Sequence, residues 1–220
     1  MNLKKRFTDS DLARIKAAVK EAENTISGEI VPVIVERSGR YAIANYKGAI
    51  LGSSITFLIL VLLDRYMLTD VENALFYDPV FIFFLATIGG MLGALLPNLF
   101  DPLKRSLVNR QYLDNATRQR AECAFLEEEV FNTKQRTGIM IFISFFEREV
   151  MVVADKGISK VVEQKVWDKI VTDLLASIRN KKMVEGIEAS IKKCGEILLE
   201  KGFLKADDDV NELTDDLRIE

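Results

Sequence analysis

The stretch that decides the fold is residues 27–54, which read SGEIVPVIVERSGRYAIANYKGAILGSS. Residues 29–36 are rich in β-branched side chains and apolar at successive positions, which is typical of a strand buried on both faces. From Gly48 onward the chain is uncharged until Asp64. A strand of a water-soluble domain therefore leads almost directly into an apolar segment, and the partners of that strand must come from elsewhere in the chain.

A second uncharged stretch covers residues 79–100. About 20 apolar helical residues cross the hydrocarbon core of a bilayer, so this stretch is long enough by itself. The first stretch is shorter and spans only if Lys47 and Arg65 extend toward the headgroups from its two ends. We predict a transmembrane hairpin over residues 41–103, with spans at about 46–65 and 79–100. A buried core helix is the alternative for each stretch.

The charges around this hairpin are asymmetric. The loop between the spans, DRYMLTDVENALFYD, is acidic and contains a single basic residue. Because Lys and Arg are enriched in cytoplasmic flanks, we predict both termini in the cytoplasm and the loop outside. The basic flanks are Arg37, Arg40 and Lys47 before the first span, and Lys104, Arg105 and Arg110 after the second.

Each predicted span carries a pair of glycines four residues apart: Gly48 and Gly52 in the first, Gly89 and Gly93 in the second. Such pairs allow helix backbones to approach closely, although glycine is also simply common in membrane helices. Neither span contains an ionisable residue, whereas ion or proton pathways usually need one. We therefore interpret the hairpin as an anchor rather than a transport path.

The remaining chain is patterned as helices and strands of a soluble domain. Thr8 and Asp11 form a capping-box pattern before a helix with one apolar face, and residues 139–146 and 150–154 resemble two strands joined by a charged turn. For those two runs a third membrane span is the alternative, which the charges in their middle oppose. Apolar spacing predicts further helices over residues 103–133, 158–178 and 183–200.

These patterns predict an α/β fold, a small central mixed sheet sandwiched by helices and interrupted by an inserted two-helix transmembrane hairpin. The first part of the α/β domain is residues 1–40, the hairpin is 41–103, the second part is 104–203, and an acidic flexible tail is 204–220. The strand at 29–36 then pairs with the strands formed after residue 138.

Composition excludes several function classes. The chain has no histidine, so a Ser–His–Asp triad, a Cys–His pair and an HExxH zinc site are impossible. A net charge of −3 does not suggest a nucleic-acid partner. Cys123 and Cys194 lack the spacing of a zinc site or of a cysteine phosphatase loop. We predict no metal and no cofactor.

Few polar residues are candidates for ligand binding. Asp155 follows a predicted strand, where α/β folds open ligand crevices, although a turn or helix-capping role is the alternative. Glu29 and Arg148 are weaker ligand-binding candidates, for which a strand-edge salt bridge is the alternative. The acidic run from Asp207 fails as a calcium loop, because Glu212 replaces the required glycine and Arg218 the required bidentate glutamate.

A set of residues at strand ends, turns and the last helix forms a recognisable pattern along the chain. These residues are Thr25, Gly28, Glu29, Ile30, Gly138, Arg148, Gly157 and Gly186. Through them the chain resembles the TPM-domain family, which includes thylakoid-lumen phosphatase-like and photosystem repair proteins, a nematode receptor modulator and many bacterial members. The resemblance covers roughly residues 7–36 and 105–202 and implies a bacterial membrane-anchored protein with a compact α/β sandwich fold. The chain departs from the family in two ways: the turn before the last helix reads NKKM, and the flank charges predict a cytoplasmic domain, whereas many relatives place it outside the cytoplasm.

The resemblance and the absence of a catalytic constellation lead to two function hypotheses. The first is a membrane-tethered TPM-like domain that binds or organises partners at the cytoplasmic face of the inner membrane, without an evident catalytic site. Its expected partners are the lipid bilayer and other proteins, or further copies of the chain. The alternative is a metal-assisted phosphatase-like hydrolase, as the family resemblance implies.

Overall fold

A computed structural model describes residues 3–66, 78–205 and 210–220. It divides the chain into two compact units. Residues 1–39 and 114–220 form one unit, called the α/β body below, and residues 40–113 form the other, called the hairpin unit. Two segments distant in sequence thus fold into one body, and the segment inserted between them in the chain forms the second unit.

The helices and strands follow one another in an order that begins with a short 3-10 turn at Leu3–Arg6. The elements are α1 Asp9–Glu23, β1 Glu29–Val35, α2 Ala42–Tyr66, α3 Pro79–Leu99, α4 Asp101–Leu107, α5 Arg110–Glu127, β2 Gly138–Ser144, β3 Glu149–Ala154, α6 Lys156–Ser159, α7 Gln164–Arg179, α8 Met183–Glu200 and β4 Arg218–Ile219.

The body is built on a four-stranded mixed sheet in the order β3-β2-β1-β4. Strand β1 runs parallel to β2, with Glu29 opposite Gly138, and parallel to β4, whereas β2 and β3 are antiparallel. All seven residues of β1 and of β2 are buried. The predicted α/β fold with a small mixed sheet between helices is confirmed.

Side chains of β1 alternate between two cores, one on each face of the sheet. Ile30 and Ile34 join a large core with α1, α7 and α8, while Val31, Val33 and Val35 join a smaller core with α5. Both faces are therefore covered by helices, which explains why β1 is apolar at successive positions instead of alternating.

The backbone groups along the outer edge of β1 are accommodated in three different ways. The backbone N–H of Ile30 donates to the Glu23 carboxylate at 2.8 Å, Pro32 has no N–H to satisfy, and the Ile34 carbonyl accepts from the Glu220 N–H at 2.9 Å. Because alternate residues of a strand direct their backbone groups to the same side, these three residues lie along one edge. Proline is tolerated on such an edge.

Two predicted helices are each divided in the structure. The helix predicted over 103–133 is interrupted at Val108, which is extended, and Asn109 then caps α5 by accepting from the Gln111 N–H at 3.0 Å. The helix predicted over 158–178 becomes α6 and α7, because the chain turns to bury both Ile158 and Val162. The helical spacing of apolar residues continues across both interruptions, so the sequence pattern predicted one continuous helix in each case.

The acidic tail expected to be flexible over residues 204–220 instead ends in the sheet. Arg218–Ile219 forms β4, and Leu213, Leu217 and Ile219 pack against the cores. The side chain of Arg218 donates to Glu128 at 3.0 Å. Because the segment is rich in acidic residues, its composition predicted a flexible tail. Three apolar residues within it are nevertheless partly buried against the cores. The acidic run at residues 207–209 lies outside the described residues.

The hairpin unit contains two helices long and apolar enough to cross a membrane, α2 and α3. Few residues of these two helices are buried inside the protein. They are Ala44 and Gly48 in α2, and Gly90, Gly93 and Pro97 in α3. The two helices pack at their glycines, where a Cβ on Gly48 or Gly52 would overlap the carbonyl oxygens of Gly93 or Gly89. The acidic residues Asp70 and Glu72 of the loop that we predict outside lie beyond the described residues.

Candidate functional site

Asp155 is positioned by the end of β3 and the start of α6. It is 4% exposed, and one carboxylate oxygen accepts from the Lys156 N–H at 2.7 Å as a helix cap. Arg136 donates to both oxygens, with Nε–Oδ2 and Nη2–Oδ1 distances of 2.7 and 3.1 Å. A carboxylate engaged in this way stabilises the turn between strand and helix.

Glu29 lies at the same end of the sheet as Asp155, because β1 begins opposite Gly138 and β3 ends near Ile139. It is 7% exposed and accepts from the Glu212 N–H at 3.1 Å, which ties the C-terminal segment to the first strand. Arg148 lies at the opposite end, exposed in the turn between β2 and β3 with φ of 60°. The three candidate residues therefore do not form one site.

Glu23 is a buried acidic residue that the sequence patterns did not single out. It is 8% exposed, and its second oxygen has no hydrogen-bond partner among the described residues. Burial raises the pKa of Glu23 to about 8, assisted by the nearby carboxylates of Glu29 and Asp215 and opposed by the Ile30 N–H and Lys205. The carboxyl group is therefore mostly neutral at pH 7.

A helical spacing in the sequence indicated this burial. Ile15, Val19 and Glu23 recur every four residues, so all three lie on one face of α1, and Ile15 and Val19 are fully buried. The glutamate at the end of this apolar stripe is consequently drawn into the body, where it completes the edge of β1.

A groove of about 660 Å³ lies between α1 and α8 in the body. The helices approach closely there, since a Cβ on Gly195 would lie 3.2 Å from the Ala22 Cβ. Arg14 crosses the groove to Glu188 with N–O distances of 2.9 and 2.7 Å. Its lining combines charged residues beside the Arg14–Glu188 pair with small and apolar ones. The charged residues are Glu21, Glu185, Lys192 and Glu196, and the small and apolar ones are Ala17, Ala18, Ala22, Ala189, Gly195 and Leu199.

The residues that line this groove are suited to binding. Apolar and charged side chains lie side by side there, with more carboxylates than basic groups. The nearby thiol of Cys194 on α8 is fully buried, and burial raises its pKa to about 12, so it is a poor nucleophile. Small residues on the amphipathic faces of α1 and α8 were the sequence signal for this groove.

No cluster of three or more His, Cys, Asp or Glu side chains that could hold a metal ion occurs within residues 3–66, 78–205 and 210–220. Two acidic side chains near this end of the sheet make hydrogen bonds within the body. Glu29 holds the backbone of Glu212, and Asp215 accepts from the Asn211 amide at 2.6 Å.

The geometry defines a mixed α/β sandwich with an inserted helical hairpin. Residues 107–197 match the family model described as the TPM domain. The resemblance to the TPM-domain family is confirmed over this range. The comparison with curated proteins finds no match.

The fold is also similar to a solved structure, the NMR structure of the BA42 protein from the psychrophilic bacterium Bizionia argentinensis sp. nov.. The TM-score is 0.58 at 16% sequence identity, over 97% of this chain and 95% of the other. At this level of identity the similarity is one of fold.

Proposed function

We propose that this chain is a membrane-tethered TPM-like domain that binds or organises protein partners at the cytoplasmic face of the inner membrane. The observation that carries the proposal is the apolar surface of the hairpin unit. Large apolar side chains on α2 and α3 point outward, among them Ile50 and Phe83, which are 67% and 74% exposed. Exposing each 100 Å² of such surface to water costs about 2.5 kcal/mol, and lipid removes this cost.

The distribution of basic residues supports the proposed orientation. Within the described part of the hairpin unit, three basic residues, Lys47, Lys104 and Arg105, lie at the end next to the α/β body in sequence. The other end has the single basic residue Arg65 beside Asp64 and Asp78. Basic residues favour the cytoplasmic side, so the body and both termini are assigned to the cytoplasm.

The groove between α1 and α8 supports a binding role for the body. Its combination of apolar and charged lining residues is typical of a surface that receives a partner segment. By contrast, the strongest polar residue at a strand end, Asp155, has both carboxylate oxygens engaged by Arg136 and by the cap of α6.

Fractionation of cells that express the full chain tests the tether. We expect the protein to remain in the membrane pellet after alkaline carbonate extraction, whereas a variant with residues 41–103 replaced by a flexible linker is soluble and folded. Recovery of the full chain in the carbonate supernatant would contradict the proposal. A reporter active only in the cytoplasm, fused after Glu220, should be active.

Partner binding is tested separately in isolated membranes. A photo-crosslinking residue at Ala18, which lines the groove, should capture protein partners or further copies of the chain. The same residue at Arg148, exposed at the other end of the sheet, is the matched control. Equal capture from both positions would count against a binding role for the groove.

The hydrolase alternative makes a different prediction. If the body hydrolyses phosphoesters with the help of a metal, the purified protein should turn over a generic phosphoester only with a divalent cation. Replacement of Asp155 by Ala should then abolish turnover, while Glu21→Ala on the surface of α1 should not. Such a pattern would favour the hydrolase over the binding role.

A further inference from the structure

Helices α1 and α8 run side by side in the same direction. Arg14 on α1 pairs with Glu188 on α8, and further along both helices Ala22 lies beside Gly195. Because residue numbers rise together along the two helices, the groove between them follows both axes. Both helices belong to the α/β body, so the groove lies within one compact unit.

The groove is long enough to receive a helix. Its lining extends over residues 14–25 of α1 and 185–199 of α8. At 1.5 Å per helical residue these stretches are about 17 and 21 Å long, which is three to four turns. Between its ends the groove is lined by the small side chains of Ala17, Ala18 and Ala189. Small side chains at a contact let a third helix approach closely.

Carboxylates outnumber basic groups along this groove. Four glutamates line it, against the basic residues Arg14 and Lys192. Two of the four carboxylates already have basic partners, since Glu188 accepts from Arg14 and Glu196 accepts from Lys193 at 2.9 Å. With Lys192 as the remaining basic group, the lining keeps an excess of negative charge. The two other carboxylates are those of Glu21 and Glu185.

Glu21 and Glu185 lie toward opposite ends of the groove. Glu185 precedes Glu188 near the start of α8, whereas Glu21 lies next to Ala22 near the end of α1. Given the level at which Ala22 meets Gly195, the two carboxylates are about ten residues, or about 15 Å, apart along the helix axes. Both residues are exposed, and neither makes a hydrogen bond or salt bridge within the described part of the chain. A bound segment can therefore reach both without displacing an existing ion pair.

We infer that the groove between α1 and α8 binds a basic amphipathic helix of a protein partner, whose Lys or Arg side chains pair with Glu21 and Glu185. This inference rests on the proposed function and adds the chemistry of the partner to it. A helix laid into a groove with its apolar face inward is a recurrent mode of peptide recognition. An acidic segment would meet like charges, and the net charge of −3 makes a second copy of this chain a poorer match.

Binding of two designed peptides to the full chain tests the inference. The chain is placed in phosphatidylcholine nanodiscs, with empty nanodiscs as the blank. One peptide is an alanine-rich helix with two lysines on one face, about eleven residues or three turns apart. The other peptide carries glutamates at those two positions. We expect fluorescence anisotropy at low salt to show about tenfold tighter binding of the lysine peptide, at about threefold for each exposed ion pair.

A charge reversal separates charge from folding. The double variant Glu21→Lys with Glu185→Lys should reverse the preference, so that the glutamate peptide binds more tightly. Glu122→Lys with Glu163→Lys is the matched control, because it changes the net charge equally at two exposed residues that do not line the groove. This control should keep the original preference. Lys192→Gln removes the remaining basic group and should strengthen binding of the lysine peptide about threefold.

Equal binding of the two peptides by the unaltered chain would overturn the inference, as would an unchanged preference in the Glu21→Lys and Glu185→Lys variant. Photo-crosslinking at Ala18 that captures only further copies of the chain would overturn the choice of a basic partner in favour of self-association.

The binding role of the groove and the chemistry of its partner fail in different ways. Equal capture from Ala18 and Arg148 removes the binding role, and with it the basis of this inference. Greater capture from Ala18, combined with equal binding of the lysine and glutamate peptides, keeps the binding role and removes only the basic partner.

Discussion

The α/β body and the hairpin unit bury different kinds of residues. In the body the fully buried side chains are large, such as Ile34, Phe142 and Ile191. In the hairpin unit the buried residues of α2 and α3 are Ala44, Gly48, Gly90, Gly93 and Pro97, and the large apolar side chains face outward. Burial away from water drives packing in the body, whereas close backbone approach holds the hairpin.

The comparison shows two ways of packing helices and strands in one chain. In water, an element is stable when its large apolar face is covered, so the apolar residues of β1 required helices on both sides. In lipid, the outward face is already solvated, and helices associate through small residues. The predictions below alter one unit at a time and run from the largest expected effect to the smallest.

The largest effect is expected for Phe142→Ala in β2. The phenyl ring is 0% exposed in the smaller core, so its loss should lower the free energy of unfolding of the body by about 3–5 kcal/mol. Urea unfolding followed by Trp167, the single tryptophan of the chain and buried in the body, measures this change. Leu126→Ala, at a residue 61% exposed, should have little effect. An equal loss in both variants would mean that burial does not stabilise the body.

Glu23→Gln should change the pH dependence of the body. The pKa of Glu23 is about 8 in the folded state, against an ordinary value of 4.5 for glutamate in the unfolded chain. The folded state therefore binds more protons between these values, and stability falls as pH rises from 4.5 to 8. The glutamine variant lacks this loss and should be more stable by roughly 2–4 kcal/mol at pH 9, with little difference at pH 4.

Thermal unfolding at several pH values, again followed by Trp167, measures this effect. Glu21→Gln is the matched control, because Glu21 lies two residues earlier on the exposed side of α1. Parallel stability profiles for the unaltered protein and Glu23→Gln would show that Glu23 is not held neutral in the folded body.

Gly52→Leu should separate α2 from α3 while the body remains folded. The added side chain would overlap the Gly89 carbonyl, and we expect a loss of about 1–2 kcal/mol in helix association. Disulfide formation between cysteines introduced at Ala49 and Gly90, in a Cys123→Ser background, reports the contact. Leu92→Ile, on the outward face of α3, should leave the crosslink intact; crosslinking unaffected by Gly52→Leu would disprove the glycine contact.

The smallest effect is expected for Arg136→Gln. This change removes the two donors to Asp155 but leaves the cap of α6, so it should cost about 1 kcal/mol because Arg136 is half exposed. Urea unfolding gives the measurement, with Arg148→Gln in the exposed turn as the control. A loss as large as that of Phe142→Ala would indicate that Asp155 organises more than a local turn.

Much of the fold could be predicted from local pattern. The capping box at Thr8 and Asp11, the apolar strand β1 and the antiparallel strands β2 and β3 all depend on nearby residues. The candidate site was harder to predict from the sequence. Local pattern placed Asp155, Glu29 and Arg148 at strand ends or turns, but it could not show which end of the sheet each residue would occupy. The order and direction of the strands assigned Glu29 and Asp155 to one end and Arg148 to the other.

The sequence by itself determined the periodicities, the apolar stretches and the interruption of one α/β domain by an inserted segment, because these depend on residue spacing and composition along the chain. Only the tertiary structure decided that Arg218–Ile219 completes the sheet, that Glu23 satisfies the backbone of Ile30, and that α1 and α8 enclose a groove. The first and third features join residues distant in sequence, and the Glu23 contact depends on how deeply α1 packs against the sheet. The desolvation that selects all three acts on surfaces formed only after the chain has packed.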